Sequence, residues 1–299
     1  MTEYKNLRKK KLKPTPLLDG IEEIKQDFEE RLEQGDTTYG LEILDDYVET
    51  IRKGSLTFIV AAPNTGKSLT GQIIAVHLAK QGKKVLICSC EMGAGLLMER
   101  QLKNLTGTSM KQLRELYSNR RDTANMIMDS VIEDKKYHYL NNIDICETGG
   151  ATVEDIIEML DAFPEFEYVI IDYIQRIIGT GSEYENITHA ARELQTYARQ
   201  TGKRLIICSQ ASRASNQDAQ GQNGKNSASK DGMRIRGKGS GSIEEDGDVG
   251  LALMEDFNGG EKFILMTLFK NRYGAGKNIT YRYKLDDRLN FVLQNKVVT

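Results

Sequence analysis

Tryptophan is absent from this 299-residue sequence, and cysteine, proline and histidine are scarce, with four, four and three residues. The cysteines lie in apolar, strand-like runs at positions 88, 90, 146 and 208, and neither they nor the scattered histidines have the spacing of a zinc site. We interpret them as buried thiols of a protein in the reducing cytoplasm. No stretch approaches the ~20 consecutive apolar residues of a membrane span, so we expect no membrane partner.

A large excess of either charge is also lacking. The net charge of −2 excludes an overall signature of nucleic-acid binding, so any such role must depend on local charge. Residues 1–16 carry six basic side chains and one acidic one, and we expect a solvated, disordered arm there. In residues 17–35, apolar side chains recur every three or four positions. This spacing predicts an amphipathic linker helix ahead of one domain, 36–299.

Within that domain, apolar runs alternate with helical patterns. The runs at 56–62, 84–89, 168–172 and 204–209 are almost purely apolar, and helical patterns follow at 69–80, 94–105, 153–163 and 187–201. This alternation predicts an α/β fold with a central, mostly parallel sheet flanked by helices. We also predict a polar helical stretch at 109–134, a strand at 139–146, and antiparallel strands at the C-terminal edge, at 249–254, 263–269, 279–285 and 289–293.

A phosphate-binding loop is predicted where the first strand ends. The run to Ala62 breaks at Pro63-Asn64-Thr65-Gly66, and Lys67-Ser68 opens a helix. Free N–H groups of the turn and the positive end of the helix dipole then point at one place, where a polyphosphate fits. Lys67 would reach the β- and γ-phosphates and Ser68 would bind Mg²⁺. One departure from the pattern is Ala61, which stands where the pattern has glycine.

Three polar residues follow other predicted strands. Asp172 ends an apolar strand and would lie beside the phosphate loop, where Mg²⁺ needs an anion. Glu91 lies just past another strand and is placed to deprotonate an attacking water. Gln210 ends the 204–209 strand, and its amide is placed to hydrogen-bond a γ-phosphate. Taken alone, Glu91 and Gln210 fit an ordinary helix-terminal charge and a polar loop residue equally well.

Six motifs together resemble, in order, those of the DnaB-type replicative helicases, the hexameric branch of the RecA-like P-loop ATPases. They are A-A-P-N-T-G-K-S, S-C-E-M, V-I-I-D-Y-I-Q, C-S-Q-A-S-R, G-S-G-S-I-E-E-D-G-D and F-K-N-R-Y-G, and the resemblance covers residues 36–293. The family's N-terminal collar has no counterpart in this sequence. We therefore expect a minimal helicase of the kind that phages and plasmids encode.

The resemblance implies a role for each matched residue. It implies ATP and Mg²⁺ as cofactors, with Ser68 and Asp172 supporting the metal, Glu91 as catalytic base and Gln210 as γ-phosphate sensor. Lys270 and Arg272 look like the lysine and arginine finger that the adjacent subunit supplies in trans. Arg100 matches an arginine that stacks on adenine. Nucleotide contacts would come from Ala62, Pro63, Asn64, Thr65, Gly66, Lys67 and Ser68.

A polar stretch at 211–241 falls where this family has its DNA-binding pore loop. It contains six basic residues against two acidic ones, a surplus of four positive charges. The resemblance implies single-stranded DNA contacts, although Lys238 stands where the family usually has arginine and Gly239 where it has an acid. The expected DNA-binding residues are Arg213, Arg236, Lys238, Gly239 and Gly241. The implied partners are a ring of identical subunits, a hexamer with ATP sites between subunits, together with a helicase loader and a primase.

Two other functions fit parts of the same sequence. A recombination ATPase of the RecA or RadA kind shares the Lys-Asn-Arg-x-Gly pattern, but the Ser-Gln and Ser-Gly-Ser-Ile-Glu stretches favour the helicase. A non-catalytic ATP-binding loader or switch is disfavoured because Glu91, Asp172 and Arg272 are all present. The sequence therefore predicts an ATP-dependent, ring-shaped DNA-unwinding motor.

Overall fold

The computed structural model describes residues 16–211, 246–274 and 276–297. In this part of the chain one nine-stranded sheet has the strand order β3-β2-β4-β5-β1-β6-β7-β8-β9. The strands are β1 (Leu56–Ala61), β2 (Val85–Ser89), β3 (Ile143–Glu147), β4 (Tyr168–Asp172), β5 (Arg204–Gln210), β6 (Val249–Asn258), β7 (Glu261–Asn271), β8 (Ile279–Leu285) and β9 (Phe291–Val297).

Helices connect the parallel strands. They are α1 (Gly20–Gln34), α2 (Glu42–Asp45), α3 (Lys67–Lys80), α4 (Ala94–Thr106), α5 (Met110–Asn119), α6 (Arg121–Glu133), α7 (Val153–Ala162) and α8 (Glu183–Thr201). Capping boxes at Ser109, Thr152 and Ser182 begin three of them by satisfying N–H groups that have no partner inside the helix. None of the described helices is long and apolar enough to cross a membrane.

The central strands are buried on both faces because helices cover the sheet from both sides. Every residue of β1 is buried, and Leu56, Phe58 and Val60 pack with α7 and α8. On the opposite face Ile59 and Ala61 pack with α3. Alternate residues of a strand point to opposite faces, so a strand between two helical layers has to be apolar throughout. This explains the continuous apolar runs in the sequence.

Parallel and antiparallel pairing divide the sheet into two parts. Strands β3, β2, β4, β5, β1 and β6 pair in parallel, whereas β6 to β9 form antiparallel hairpins. The predicted α/β architecture with an antiparallel C-terminal edge is therefore confirmed. The turn between β6 and β7 uses Gly259 and Gly260, both with positive φ, which glycine adopts without steric cost.

Two local predictions differ from the structure. The predicted strand at 139–146 is wrong in its first half, because Lys135–Asn142 forms a 3₁₀ segment. Tyr139 lies beside the Lys80 ammonium and Asn142 donates to the Ala79 carbonyl, so this segment packs against the end of α3 and not in the sheet. The helical stretch 109–134 is broken at Arg120, whose extended φ of −147° separates α5 from α6.

The apolar side of α1 remains uncovered. Six large apolar side chains in and just before this helix are between 48% and 95% exposed: Leu17, Leu18, Ile21, Ile24, Phe28 and Leu32. An amphipathic helix is stable in water only when its apolar stripe is buried against another surface. The described part of this chain does not supply that surface.

Candidate active site

The predicted phosphate loop and three other predicted site residues lie at the carboxyl edge of the parallel strands. Ala61 of β1 pairs with Gln210 of β5, and Ser89 of β2 pairs with Asp172 of β4. The chain leaves β1 through residues 62–66 and leaves β2 toward Glu91. Because parallel strands end at the same edge, these segments meet in one crevice. The structure thus brings the phosphate loop, Asp172, Glu91 and Gln210 to one edge of the sheet.

The phosphate loop has the backbone conformation of an anion-binding turn. Gly66 has φ +98° and precedes the first residue of α3, and Asn64 also has a positive φ. A side chain at Gly66 would be strained at this φ, which explains why glycine is required there. The loop opens onto the N-terminus of a 14-residue helix, where unpaired N–H groups and the helix dipole favour a negative charge.

Lys67 is held by an anion and an aromatic ring. Its Nζ lies 3.7 Å from Asp172 Oδ1 and 3.5 Å from the centre of the Tyr173 ring. Burial lowers the pKa of Lys67, and the nearby Asp172 and Glu91 carboxylates oppose that shift. A buried cation of this kind is stabilised by any further anion that enters the crevice.

The donor set also fits a magnesium ion. Among the described residues, Asp172 Oδ1 is buried without a hydrogen-bond partner, and its nearby cation is Lys67 at 3.7 Å. Ser68 lies in the first turn of α3. Mg²⁺ binds through one or two protein oxygens and completes its shell with water and phosphate oxygens. No group of three metal-ligating side chains occurs in the described ranges.

Glu91 takes part in a surface network with two residues after β4. Its Oε1 lies 3.3 Å from Arg176 Nη2, and both side chains are about half exposed. Arg176 Nε in turn donates to the Tyr173 hydroxyl at 3.0 Å. Tyr173 therefore contacts the Lys67 ammonium with its ring and the partner of Glu91 with its hydroxyl. The network connects the two charged groups that flank the crevice.

Gln210 is fixed through its backbone by another glutamine. Gln175 Nε2 donates to Ser209 Oγ at 2.9 Å and to the Gln210 carbonyl at 3.1 Å, while Gln175 Oε1 accepts from the Gln210 N–H at 3.1 Å. The side-chain amide thus pairs with the end of β5 as a neighbouring strand would. This contact fixes the direction in which β5 leaves the sheet.

Lys270 and Arg272 lie at the opposite edge of the sheet, its amino edge, where the parallel strands begin. Val249 pairs with Thr57 at the start of β1 and with Asn271 at the end of β7. The six residues of β1 therefore separate Arg272 from the phosphate loop, a distance of about 20 Å at 3.3 Å per residue. Within one chain these two residues do not reach the crevice.

Arg100 contributes to a neighbouring cavity. Together with Leu69 and Gln72 of α3 and with Leu289 and Asn290 of the β8–β9 turn, it lines a cavity of about 200 Å³. The cavity lies along the helix that begins at the phosphate loop. The expected DNA-binding residues Arg213, Arg236, Lys238, Gly239 and Gly241 and the arm of residues 1–15 lie outside the described residues.

Sequence reasoning did not assign roles to Tyr173, Gln175 or Arg176. The first two belong to the matched stretch V-I-I-D-Y-I-Q, so the motif contained a signal that only the contacts explain. Asp248, which ends the stretch G-S-G-S-I-E-E-D-G-D, was also missed. It binds Arg272 through its carboxylate at 2.6 Å.

Comparison with known proteins places the chain in one family. The sequence profile described as "DnaB-like helicase C terminal domain" matches residues 37–288. The chain is similar to a probable plasmid replicative DNA helicase of Chlamydia psittaci, with 27% identity over 82% of this chain and 53% of that protein. It is also 28% identical to the replicative DNA helicase DnaC of Bacillus subtilis, over 73% of this chain and 46% of that protein. The chain thus spans about half the length of these relatives.

Solved structures share the fold. The ATPase domain of G40P matches with a TM-score of 0.72 and 19% identity over 95% of this chain and all of that chain. A DnaB-like replicative helicase, whose structure was solved to describe its interactions with primase, matches with a TM-score of 0.68 and 20% identity over 94% of this chain and 67% of that chain. The names of the relatives favour the helicase interpretation over a recombination ATPase.

We predict that Gln175→Leu destabilises the protein. Leucine has a similar volume but leaves the buried Ser209 hydroxyl and the backbone groups of Gln210 without their partner. The expected loss in the free energy of unfolding is about 1–3 kcal/mol, measured by urea denaturation. Gln294→Leu is the control, because within the described ranges this exposed glutamine has one hydrogen bond, to the Val292 carbonyl. Equal stability of both variants would contradict the role of Gln175.

Proposed function

The chain belongs to the family of DnaB-like helicase C-terminal domains, and we propose that it is the ATP-hydrolysing motor of a replicative DNA helicase. The observation that carries the proposal is the meeting of a phosphate loop, two carboxylates and an amide at one edge of the sheet. A protein that only binds ATP needs the loop. Hydrolysis also needs a base, a metal-supporting acid and an amide, and Glu91, Asp172 and Gln210 are our candidates for these roles.

In this proposal residues 62–68 bind the triphosphate. Backbone N–H groups of the loop and the α3 N-terminus hold phosphate oxygens, and Lys67 exchanges its contacts with Asp172 and Tyr173 for the β- and γ-phosphates. Mg²⁺, held by Ser68 and supported by Asp172, would neutralise charge between these phosphates. Arg100 packs on the adenine ring of ATP in the cavity beside α3. Burial lowers the pKa of Lys67, and an incoming anion favours the charged form of its ammonium.

Glu91 and Gln210 act on the γ-phosphate end of the nucleotide. Glu91 orients and deprotonates the attacking water, and its Oε1 pairs with Arg176 in the single chain. Gln210 donates its amide to the γ-phosphate and loses this contact after cleavage. Since Gln175 ties Gln210 to the segment after β4, a change at the phosphate reaches both strands.

The positions of Lys270 and Arg272 favour a shared site. Charge develops on the γ-phosphoryl group during transfer, and an arginine finger that stabilises it contributes about 10³-fold or more to the rate. These residues lie across the sheet from their own phosphate loop. In a head-to-tail ring, one surface of each subunit meets a different surface of the next. In this proposal the edge that carries Lys270 and Arg272 faces the phosphate loop of the neighbouring subunit. Hydrolysis then depends on the geometry between subunits.

The proposed track is single-stranded DNA inside a ring. The basic residues Arg213, Arg236 and Lys238, with the backbone of Gly239 and Gly241, would hold phosphates without reading sequence. We propose a hexamer in which α1 covers its apolar stripe on a neighbouring subunit. A helicase loader and a primase would be further partners. The place of action would be the cytoplasm of a bacterium, or of the bacterial host of a phage.

The first prediction from this proposal concerns ATP hydrolysis. The purified protein should hydrolyse ATP in the presence of Mg²⁺, and single-stranded DNA should raise the rate. Glu91→Gln should lower the rate by about 10²-fold or more, since it removes the base, while binding of a fluorescent ATP analogue is retained. If single-stranded DNA leaves the wild-type rate unchanged and no strand displacement is seen, the helicase function is rejected.

The second prediction tests the shared site by mixing inactive proteins. Arg272→Ala should abolish hydrolysis and keep ATP binding. In mixed rings with Glu91→Gln, an intact site from one chain meets an intact finger from the other at about a quarter of the interfaces at equal ratio. Hydrolysis should therefore return on mixing and depend on the ratio. Absence of recovery at every ratio would exclude a finger acting in trans.

The third prediction concerns α1. Replacing Ile24 and Phe28 together by glutamate should dissociate the oligomer, because both side chains are exposed in the single chain. The thermal unfolding of the separate subunits should remain unchanged. The matched control on the polar side is Glu22→Gln with Glu29→Gln, which should leave the oligomer intact. Sedimentation velocity with an ATP analogue measures the size, and an unchanged oligomer in the first variant would refute the packing of α1.

A further inference from the structure

At the amino edge of the sheet, Asp248 connects Arg272 with the start of β1. Its side chain is 3% exposed, and its Oδ2 accepts a hydrogen bond from the Leu56 N–H at 2.9 Å. Its Oδ1 binds Arg272 Nη1 at 2.6 Å, and its backbone carbonyl accepts from the Arg272 N–H at 2.9 Å. The Asp248 N–H donates to the Leu56 carbonyl at 2.8 Å. One residue therefore fixes Arg272 by backbone and side chain to the start of β1.

Helix α8 supports the same segment from the side. Arg192, Gln195 and Arg199 are spaced three and four residues apart and so share one face of the helix. Arg192 Nε lies 3.8 Å from Asp246 Oδ2, Gln195 donates to the Asp246 carbonyl, and Arg199 Nη2 lies 3.8 Å from Asp248 Oδ1. This face holds Asp246 and Asp248 in place. The carboxylate that binds Arg272 is thus itself anchored on two sides.

Arg272 is bound on one side and open on the other. Its side chain is 45% exposed although the Asp248 carboxylate beside it is almost fully buried. An arginine side chain loses rotamer entropy when it adopts one conformation. A charge-assisted hydrogen bond to a rigid carboxylate removes much of that freedom before any partner arrives. The rest of the Arg272 side chain is accessible to solvent.

We propose that Asp248 is the positioning residue that presents Arg272 to the neighbouring subunit's ATP site; this inference rests on the proposed shared site. Asp248 does not touch the nucleotide. It fixes the backbone of Arg272 and one side of the guanidinium. The other side of the guanidinium then contacts the γ-phosphate in a set orientation. Misplacing a catalytic group by about 1 Å costs about 10²-fold in rate, so removal of this support should be visible in kcat.

The test replaces the charge and keeps the shape. Asp248→Asn retains a carbonyl oxygen for the Leu56 N–H but loses the anionic partner of Arg272. We expect kcat for ATP hydrolysis to fall by about 10- to 100-fold with KM for ATP and binding of an ATP analogue unchanged. Asp256→Asn is the matched control. Its carboxylate pairs with Arg282 at 2.7 Å in the same sheet, and this variant should hydrolyse ATP at the wild-type rate.

Mixing locates the defect. Asp248→Asn mixed with Glu91→Gln should regain hydrolysis, as the Arg272→Ala mixture should, because the Asp248 variant keeps an intact site and the Glu91 variant an intact finger. A role confined to the folding of its own subunit gives no recovery. If Asp248→Asn does not fold, Asp248→Glu replaces it, since the longer side chain moves the charge and should give the same recovery.

Each outcome decides the inference. Wild-type kcat in the Asp248 variant, weakened ATP binding, or recovery only in the Arg272→Ala mixture would overturn the positioning role and leave the shared site standing. Failure of both mixtures would reject the shared site, and the inference with it. Recovery in both mixtures at unchanged KM supports the assignment of Asp248.

Discussion

The parallel pairing of the central strands is the constraint on which the rest of the structure depends. Parallel strands end at one edge, so the pairing of β1 with β5 and of β2 with β4 brings residues far apart in the chain into one crevice. The same pairing requires helices on both faces, which bury the strands and make them rigid. A rigid edge matters for phosphate chemistry, because groups held in position cost no reorganisation when charge develops.

Charge burial gives the crevice its preference for anions. Lys67 is mostly buried, with one carboxylate and one aromatic ring near its ammonium, and burial lowers its pKa. A buried cation is costly unless it is paired. A polyphosphate in the crevice would pair with the Lys67 ammonium and with the N–H groups at the N-terminus of α3. It would also bring oxygens for a metal. In the proposed function, Asp172 would exchange its contact with Lys67 for support of the metal.

The sheet also separates two functions at its two edges. The carboxyl edge carries the candidate nucleotide site, whereas the amino edge carries Arg272 on its Asp248 support. A strand of six residues is too long for one chain to bring these edges together. The proposed site is therefore completed only by assembly. The exposed apolar stripe of α1 is a second feature of the single chain that assembly would satisfy.

Local patterns in the sequence determined the positions of the strands and of the predicted phosphate loop. Apolar runs predicted the strands, because a strand under two helical layers must be apolar throughout, and the turn at Gly66 predicted the phosphate loop, because its backbone conformation requires glycine. Tertiary structure alone decided the rest. Gln175 and Asp248 each end a matched motif, but the motifs do not show their roles, which come from contacts with Gln210 and Arg272, 35 and 24 positions away. Residues 139–142 were likewise predicted wrongly as strand, because they belong to a 3₁₀ segment that packs on the end of α3.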